Sequence, residues 1–327
     1  MVGESPLTLM RTVGTANAAP GELAIGAIEV GEDRDGSALG LPVAVINGAE
    51  PGRTCYIQAA SDGDELNGVG VVAEIVPQID PGEVRGAIVI VGIVNPHGFR
   101  AAEHRNPIDD TKINRTYPGD PEGSASERLA ATTFDIAREA DIVLDLHQGS
   151  TSRMIDECRV RCGPGHDQHG ACLELAKVFG CGHVFDQKGP DGQLARVAPD
   201  NGIPTIDPEL GGSVGWDRSS IEMGVRGVFN VLRHYDLLPG NATLEPQVRA
   251  RAFAQYGAPA GGLVRFETEL GARVTAGDTL FTLISIFGEH KATVTAAEAG
   301  VVWRMRRLPQ VATGEYVCTL GTNLDTY

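Results

Sequence analysis

The chain is short of positive charge. Its 327 residues hold 27 Lys and Arg against 43 Asp and Glu, a formal net charge of -16 with a pI near 4.9. No Lys/Arg block interrupts this excess. A surface of that sign repels phosphate, which argues against nucleic acid and against an anionic membrane as partners. Long apolar runs are missing too: no stretch approaches the ~20 residues that a membrane-spanning helix requires. The first 20 residues show no cationic flank followed by an apolar run, so no secretory signal is visible and a cytoplasmic location is expected. Cysteine is sparse, with six residues, and without secretory features these read as reduced thiols rather than a disulfide framework. What is present is an ordinary globular composition, 42% hydrophobic and 21% charged, which argues against disorder. The length suits one large domain, or a main domain with a smaller one, and supplies ample core.

Residues 1–40 are Gly-rich, with short β-like runs such as 22–28. From Leu41 the pattern sharpens. Residues 41–46, 54–60 and 86–94 are short apolar runs of the kind expected for buried strands, and a helix-like stretch leads from the turn after residue 60 to Ile79. A long polar segment, 95–124, is of a length that in compact domains is usually functional or disordered. A helix is predicted over 126–140 and a strand over 141–146 that ends at His147. Further strands are predicted at 154–161 and 203–206, and helices at 171–179 and 219–238. This alternation predicts an α/β domain with a mostly parallel sheet and flanking helices over residues 1–240. After the breaker cluster Pro239-Gly240-Asn241, short Val/Thr/Leu/Ile runs between Gly turns predict a small all-β domain over 241–327.

Ligands of open α/β sheets gather beyond the carboxyl ends of the strands. The polar residues delivered there are Asp62 and Glu65, His147, and the run from Pro208 through Glu209 to Gly212, while the long loop carries Arg105, Asn114 and Arg115. Two carboxylates and a distant histidine form a three-ligand metal site with one position left for water. On spacing alone, Asp62 and Glu65 read equally well as a capping-type pair at a helix start.

Four motifs, in order, resemble the succinylglutamate desuccinylase/aspartoacylase family, which shares its fold with the zinc carboxypeptidases. They are Asp62-Gly63-Asp64-Glu65-Leu66-Asn67-Gly68; Asn95-Pro96 leading to Arg105 and to Ile113-Asn114-Arg115-Thr116-Tyr117-Pro118-Gly119; Asp145-Leu146-His147; and Glu209-Leu210-Gly211-Gly212. The β-rich tail fits the same family. The resemblance implies that Glu65 and His147 are zinc ligands. It also implies that Glu209 is the general base, passing a proton from the attacking water to the leaving amine. Arg105 matches the arginine that stabilises the oxyanion, and Asn114 with Arg115 the pair that grips a substrate carboxylate. Asp145, two residues before His147, is placed to orient the imidazole. One position departs: the family's motif opens with histidine, and here it opens with Asp62. As a variant ligand, Asp62 completes a set whose charge cancels that of a divalent ion. Bound water would then be less acidic, and preference would shift from zinc towards harder ions such as manganese.

The expected cofactor is therefore one Zn2+ per chain, with Mn2+ or another divalent ion as alternative, held by Asp62, Glu65 and His147. The expected activity is hydrolysis of the amide of a small N-acyl amino acid or related carboxylated amide. Arg196 is a further candidate contact for the substrate anion. Deacetylases of diaminobutyrate are close in architecture, so an N-acetylated diamino acid is one candidate substrate. Two alternatives stand: a carboxypeptidase on short peptides, or a metal-free carboxylate-binding protein that lost catalysis with the family histidine. Subunit number is open, a homo-oligomer included. Two other features compete for attention. Cys158, Cys162, His166, His169 and Cys172, followed by Cys181 and His183, have the density of a zinc site but no familiar spacing. The segment 289–302 is similar to the surroundings of a lipoyl lysine, with Lys291 in that place, yet a shared fold does not carry a shared function.

Overall fold

The structure, a computed structural model, describes residues 10–150, 152–213 and 215–326. Its centre is a mixed sheet of thirteen strands among the described residues. Four neighbouring strands form the parallel heart, in the spatial order Arg85–Val91, Glu50–Ala59, Ile142–Gly149 and Thr205–Gly212. On one side the antiparallel strands Ala38–Asn47 and Glu22–Glu32 extend it. On the other, Glu157–Val160 joins Thr205–Gly212 antiparallel, followed by His183–Asp186. The β-like reading of the N-terminal segment thus becomes one long edge strand, Glu22–Glu32, and a short hairpin, Arg11–Val13 with Ala16–Ala18.

Side-chain alternation explains why both faces are covered. Along Ile142–Gly149, Ile142, Leu144 and Leu146 enter one apolar cluster and Val143 enters the other, the period-2 signature of a strand buried on both faces. Helices Asn67–Ile75, His169–Phe179 and Arg218–His234 supply residues to the first cluster, and Ala125–Ala137 and Leu194–Asp200 to the second. The helix Ala125–Ala137 starts where a capping box fixes it: the Ser124 backbone N–H donates to Glu127 Oε2 at 2.8 Å, and the Glu127 N–H donates back to Ser124 Oγ. Helix His169–Phe179 ends at Gly180, whose φ of 81° is left-handed and open to glycine without a Cβ penalty. No helix among the described residues is long and apolar enough to cross a membrane.

Several elements differ from the sequence expectation. The strand predicted over 154–161 is two, Ser152–Met154 and Glu157–Val160. The strand His183–Asp186 and the helix Leu194–Asp200 were not expected; both are too short to carry a periodic signal. The strand predicted to end at His147 continues to Gly149. Beyond residue 240 the chain is all β, but the central sheet crosses that point. Val248–Gly257 pairs in parallel with His183–Asp186, and Tyr316–Thr326, Gly300–Arg306 and Arg273–Val274 follow it in the same sheet. A separate four-stranded antiparallel sheet, including Thr279–Ile284 and His290–Thr295, closes the C-terminal core around Leu280, Phe281 and Val302.

Candidate active site

Asp62 and Glu65 lie on the turn between the strand Glu50–Ala59 and the helix Asn67–Ile75. The turn packs against the start of the long loop so closely that a Cβ on Gly63 would lie 2.1 Å from the carbonyl carbon of Gly98, a contact only glycine permits. Neither acid caps the helix. Its N-cap is Leu66, with no side-chain cap hydrogen bond, so the capping reading of Asp62 and Glu65 is overturned. Asn67 instead ties the turn to the neighbouring strand end: its Nδ2 donates to the Leu210 carbonyl at 2.9 Å, and its Oδ1 accepts from the Asp217 N–H at 2.8 Å.

The parallel register brings the rest together. His147 pairs directly with Glu209 across neighbouring strands. His147 Nδ1 lies 2.8 Å from Glu65 Oε2 and 3.5 Å from Asp62 Oδ2, and its Nε2 lies 3.1 Å from Asp145 Oδ2. Asp145 accepts through its other oxygen from Gln58 Nε2 at 2.8 Å. Asp145 thus lies in ion-pair contact behind the ring, while Nδ1 faces the two acids. Asn114 reaches the same ring, with Nδ2 2.9 Å from Nε2, while its Oδ1 accepts from the Leu194 N–H.

Ligand atoms of Asp62, Glu65 and His147 all lie within 4.8 Å of one another. Asp62 is fully buried, and neither of its oxygens receives a hydrogen bond. Two buried carboxylates and an imidazole are the donor set a zinc-like or harder divalent ion takes. The residues present fit such an ion. The electrostatics are those of a crowded buried site. Burial raises the Glu65 carboxyl to about 7, reinforced by the charge of Asp62 and partly offset by His147. Burial pushes Asp62 the same way, yet His147 and the charge of Lys112 hold it below the usual carboxylate range. His147 is raised well above the ordinary imidazole value: burial opposes its charge, and Asp145, Asp207 and Glu65 outweigh that.

Lys112 is the residue that sequence reasoning missed. Its Nζ lies 2.9 Å from Asp62 Oδ2 and 2.8 Å from His104 Nε2. His104 stands with Nδ1 3.0 Å from Asp64 Oδ1, and with Asp64 and Glu65 forms a second cluster of ligand-type atoms. Nothing in the one-dimensional spacing distinguishes Lys112 from a solvated loop lysine. Arg159 was missed as well. Its Nε donates to Glu157 Oε1 at 2.7 Å and its Nη1 pairs with Glu209, which leaves Glu209 Oε2 buried and without a partner. Here a signal existed: Glu157, Arg159 and Arg161 alternate with apolar residues in a run read only as a strand.

The remaining expected residues are less uniform. Arg115 is exposed; its Nη1 donates to the Asn114 carbonyl, and its charge interacts with Asp62, Asp207 and Glu209 and is opposed by Arg159. Arg105 is not brought into the cluster. Its side chain is 56% exposed, with Nη1 donating to the Asp110 carbonyl at 2.7 Å. Arg196 is engaged by Asp191 at 3.0 Å and by the Gly189 carbonyl. The cysteine-rich segment assembles no metal cluster among the described residues: its cysteines are free and buried, His166 pairs with Asp200, and His169 with Asp186. Lys291 is not at a turn tip; it lies in the strand His290–Thr295 and its Nζ donates to the Gly261 carbonyl.

A buried carboxylate–carboxylate–imidazole cluster at the carboxyl edge of a mostly parallel sheet, with a partner-free glutamate oxygen on the adjoining strand, defines a hydrolase of the deacylase class. Residues 51–235 match the succinylglutamate desuccinylase/aspartoacylase catalytic domain, and the chain belongs to that family, whose members hydrolyse the amide bonds of acyl amino acids. It is 28% identical to the N-alpha-acetyl-L-2,4-diaminobutyric acid deacetylase of Halomonas elongata over 302 residues, 88% of this chain and 87% of that protein. The fold is similar to that of the ectoine utilization protein EutE (DoeB) from Ruegeria pomeroyi in its product-bound structure, with a TM-score of 0.83 and 23% identity over 92% of this chain and 95% of that one. It is also similar to a succinylglutamate desuccinylase from Silicibacter sp. TM1040, with a TM-score of 0.84 and 22% identity over 96% and 100% of the two chains.

Proposed function

We propose that this deacylase is metal-dependent and acts on a small N-acyl amino acid. The observation that carries the reading is the convergence of Asp62, Glu65 and His147 around buried Asp62 oxygens that accept no hydrogen bond among the described residues and have the Lys112 ammonium as counter-charge. A divalent ion held there supplies Lewis acidity, polarising the acyl carbonyl and lowering the pKa of water. The chain's own residues do the rest. Asp145 stands 3.1 Å behind the imidazole as its counter-charge, and Nδ1 faces Asp62 and Glu65. Glu209, with one oxygen committed to Arg159, keeps Oε2 free to take a proton from water and deliver it to the leaving amine. Arg115, positioned beside Asn114, receives the substrate carboxylate.

The test is metal content by plasma mass spectrometry on protein purified without added metal or chelator, beside Asp62→Ala, with hydrolysis of N-acetyl amino acids followed in parallel. About one equivalent of zinc or manganese, lost together with activity in the variant, is expected. Full metal in a folded Asp62→Ala protein, or a wild-type site that no divalent ion refills, would sink the reading.

A further inference from the structure

Every other carboxylate buried around this site has a partner in the protein. Asp62 has Lys112, Glu65 has His147 and the Gln148 N–H, Asp145 has Gln58, and Glu209 has Arg159. Glu157 is held by Arg159, Arg304 and the Trp303 indole N–H. Asp207 has none. It is 1% exposed, and both of its oxygens are buried without a hydrogen bond. A buried charge left in that condition is costly unless a ligand completes it.

Its position says which ligand. Asp207 precedes Glu209 by two residues on the strand Thr205–Gly212, so the two side chains share the face that carries Asp145 and His147 on the neighbouring strand. It pairs in register with Arg159, but that guanidinium is turned to Glu157 and Glu209. The Asp207 charge reaches His147 and Arg115 as well. It is no more enclosed than Asp62 or His147, at 0% and 2% exposure. Nearby, Arg161 is the converse case: a buried guanidinium held by Gln193 Oε1 at 3.0 Å and the Gln187 carbonyl, with no carboxylate in ion-pair contact among the described residues. Asp207 and Arg161 feel each other's charge, yet no ion pair joins them. Asp207, with no cation in contact, near Arg161, with no carboxylate in contact, is complementary to a ligand that carries both charges.

We propose that Asp207 is the binding residue for a substrate ammonium group, and that the amino acid released by this enzyme bears a second amine rather than a second carboxylate. The N-acyl part of that substrate rests on the deacylase reading above; the ammonium site does not. An amine meeting both Asp207 oxygens makes charge-assisted hydrogen bonds, whereas an aspartate-like side chain there would set two carboxylates against each other.

The test is calorimetric binding of 2,4-diaminobutyrate, 2-aminobutyrate and aspartate to the protein as purified, in wild type and Asp207→Asn. The first two ligands differ by the second amine. Wild type is expected to bind the diamino acid at least about tenfold more tightly than 2-aminobutyrate, with aspartate weakest. Asp207→Asn should bring the first two within about twofold. Asp207→Ser serves in its place if the amide does not fold. Equal affinities in wild type, or a preference that survives both substitutions, overturns the proposal. So does a second equivalent of metal that is lost in Asp207→Asn. Turnover of the N-acetyl forms separates the two readings. Diamino preference without hydrolysis leaves the ammonium site standing and removes the deacylase. Hydrolysis of N-acetyl amino acids with no such preference does the reverse.

Discussion

Asp62 differs from the histidine of its family's motif in reach and in charge, and Lys112 answers the second difference. An aspartate with no internal hydrogen bond at zero exposure requires a counter-charge, and the ammonium 2.9 Å away supplies it. The same electrostatic bookkeeping applies to the substrate end. Arg115, on the exposed side of the site, feels the charges of Asp62, Asp207 and Glu209, partly offset by that of Arg159. Arg115→Ala is expected to lower kcat/KM on N-acyl amino acids by about a hundredfold and to spare amides that lack a carboxylate. Steady-state kinetics on a matched pair of charged and neutral amides checks this, and equal losses on both would remove Arg115 from carboxylate binding. Arg105, turned outward onto Asp110, shows how a motif match can give the residue without giving its direction.

Between elements, the decisive contact is the one that Glu157–Val160 makes with its neighbours. Glu157 is buried directly opposite Glu209 on the neighbouring strand and gathers Arg159 from its own strand and Trp303 and Arg304 from Gly300–Arg306. Burial raises its carboxyl, but Arg159 and Arg304 overcome that and hold it at about 2. A carboxylate depressed in the folded state contributes stability at pH values above its ordinary value and loses it as pH falls towards the folded one. Between about 4.5 and about 2 the wild type should therefore lose stability more steeply than Glu157→Gln. Melting temperatures of both proteins across that range are the measurement; parallel curves would mean that the ion cluster adds nothing. Because Arg159 also grips Glu209, this element couples the C-terminal strands to the residue read as the general base.

For the molecule as a whole, the chain beyond residue 240 is part of the main sheet. Val248–Gly257 adds to His183–Asp186, and Trp303, fully buried, packs with Phe185 and Ala250 across that seam. A chain ending at residue 240 would leave the His183–Asp186 edge unpaired and the Glu157 charge short of two partners, a prescription for aggregation. We expect it to accumulate insoluble, or to melt without a cooperative transition by circular dichroism. A soluble fragment melting like the full chain would show that residues 1–240 fold alone.

Much was legible in the sequence because it is local. Strands buried on both faces write continuous apolar runs, and the parallel heart was readable from 54–60, 86–94 and 141–146. The turn Asp62 to Glu65, the strand end at His147 and the Glu209 run follow from strand ends being where such sheets gather ligands. The rest depended on contacts between segments distant in the chain. Only packing brought Lys112 against Asp62 and Arg159 against Glu209, turned Arg105 away, and left Asp207 buried without a partner. The cysteine-rich segment carried the density of a metal site, and the fold spread its thiols through the core instead. Sequence fixes which groups stand at the strand ends; the orientation of each side chain, and whether its charge is met, is decided by neighbours that the linear order does not specify.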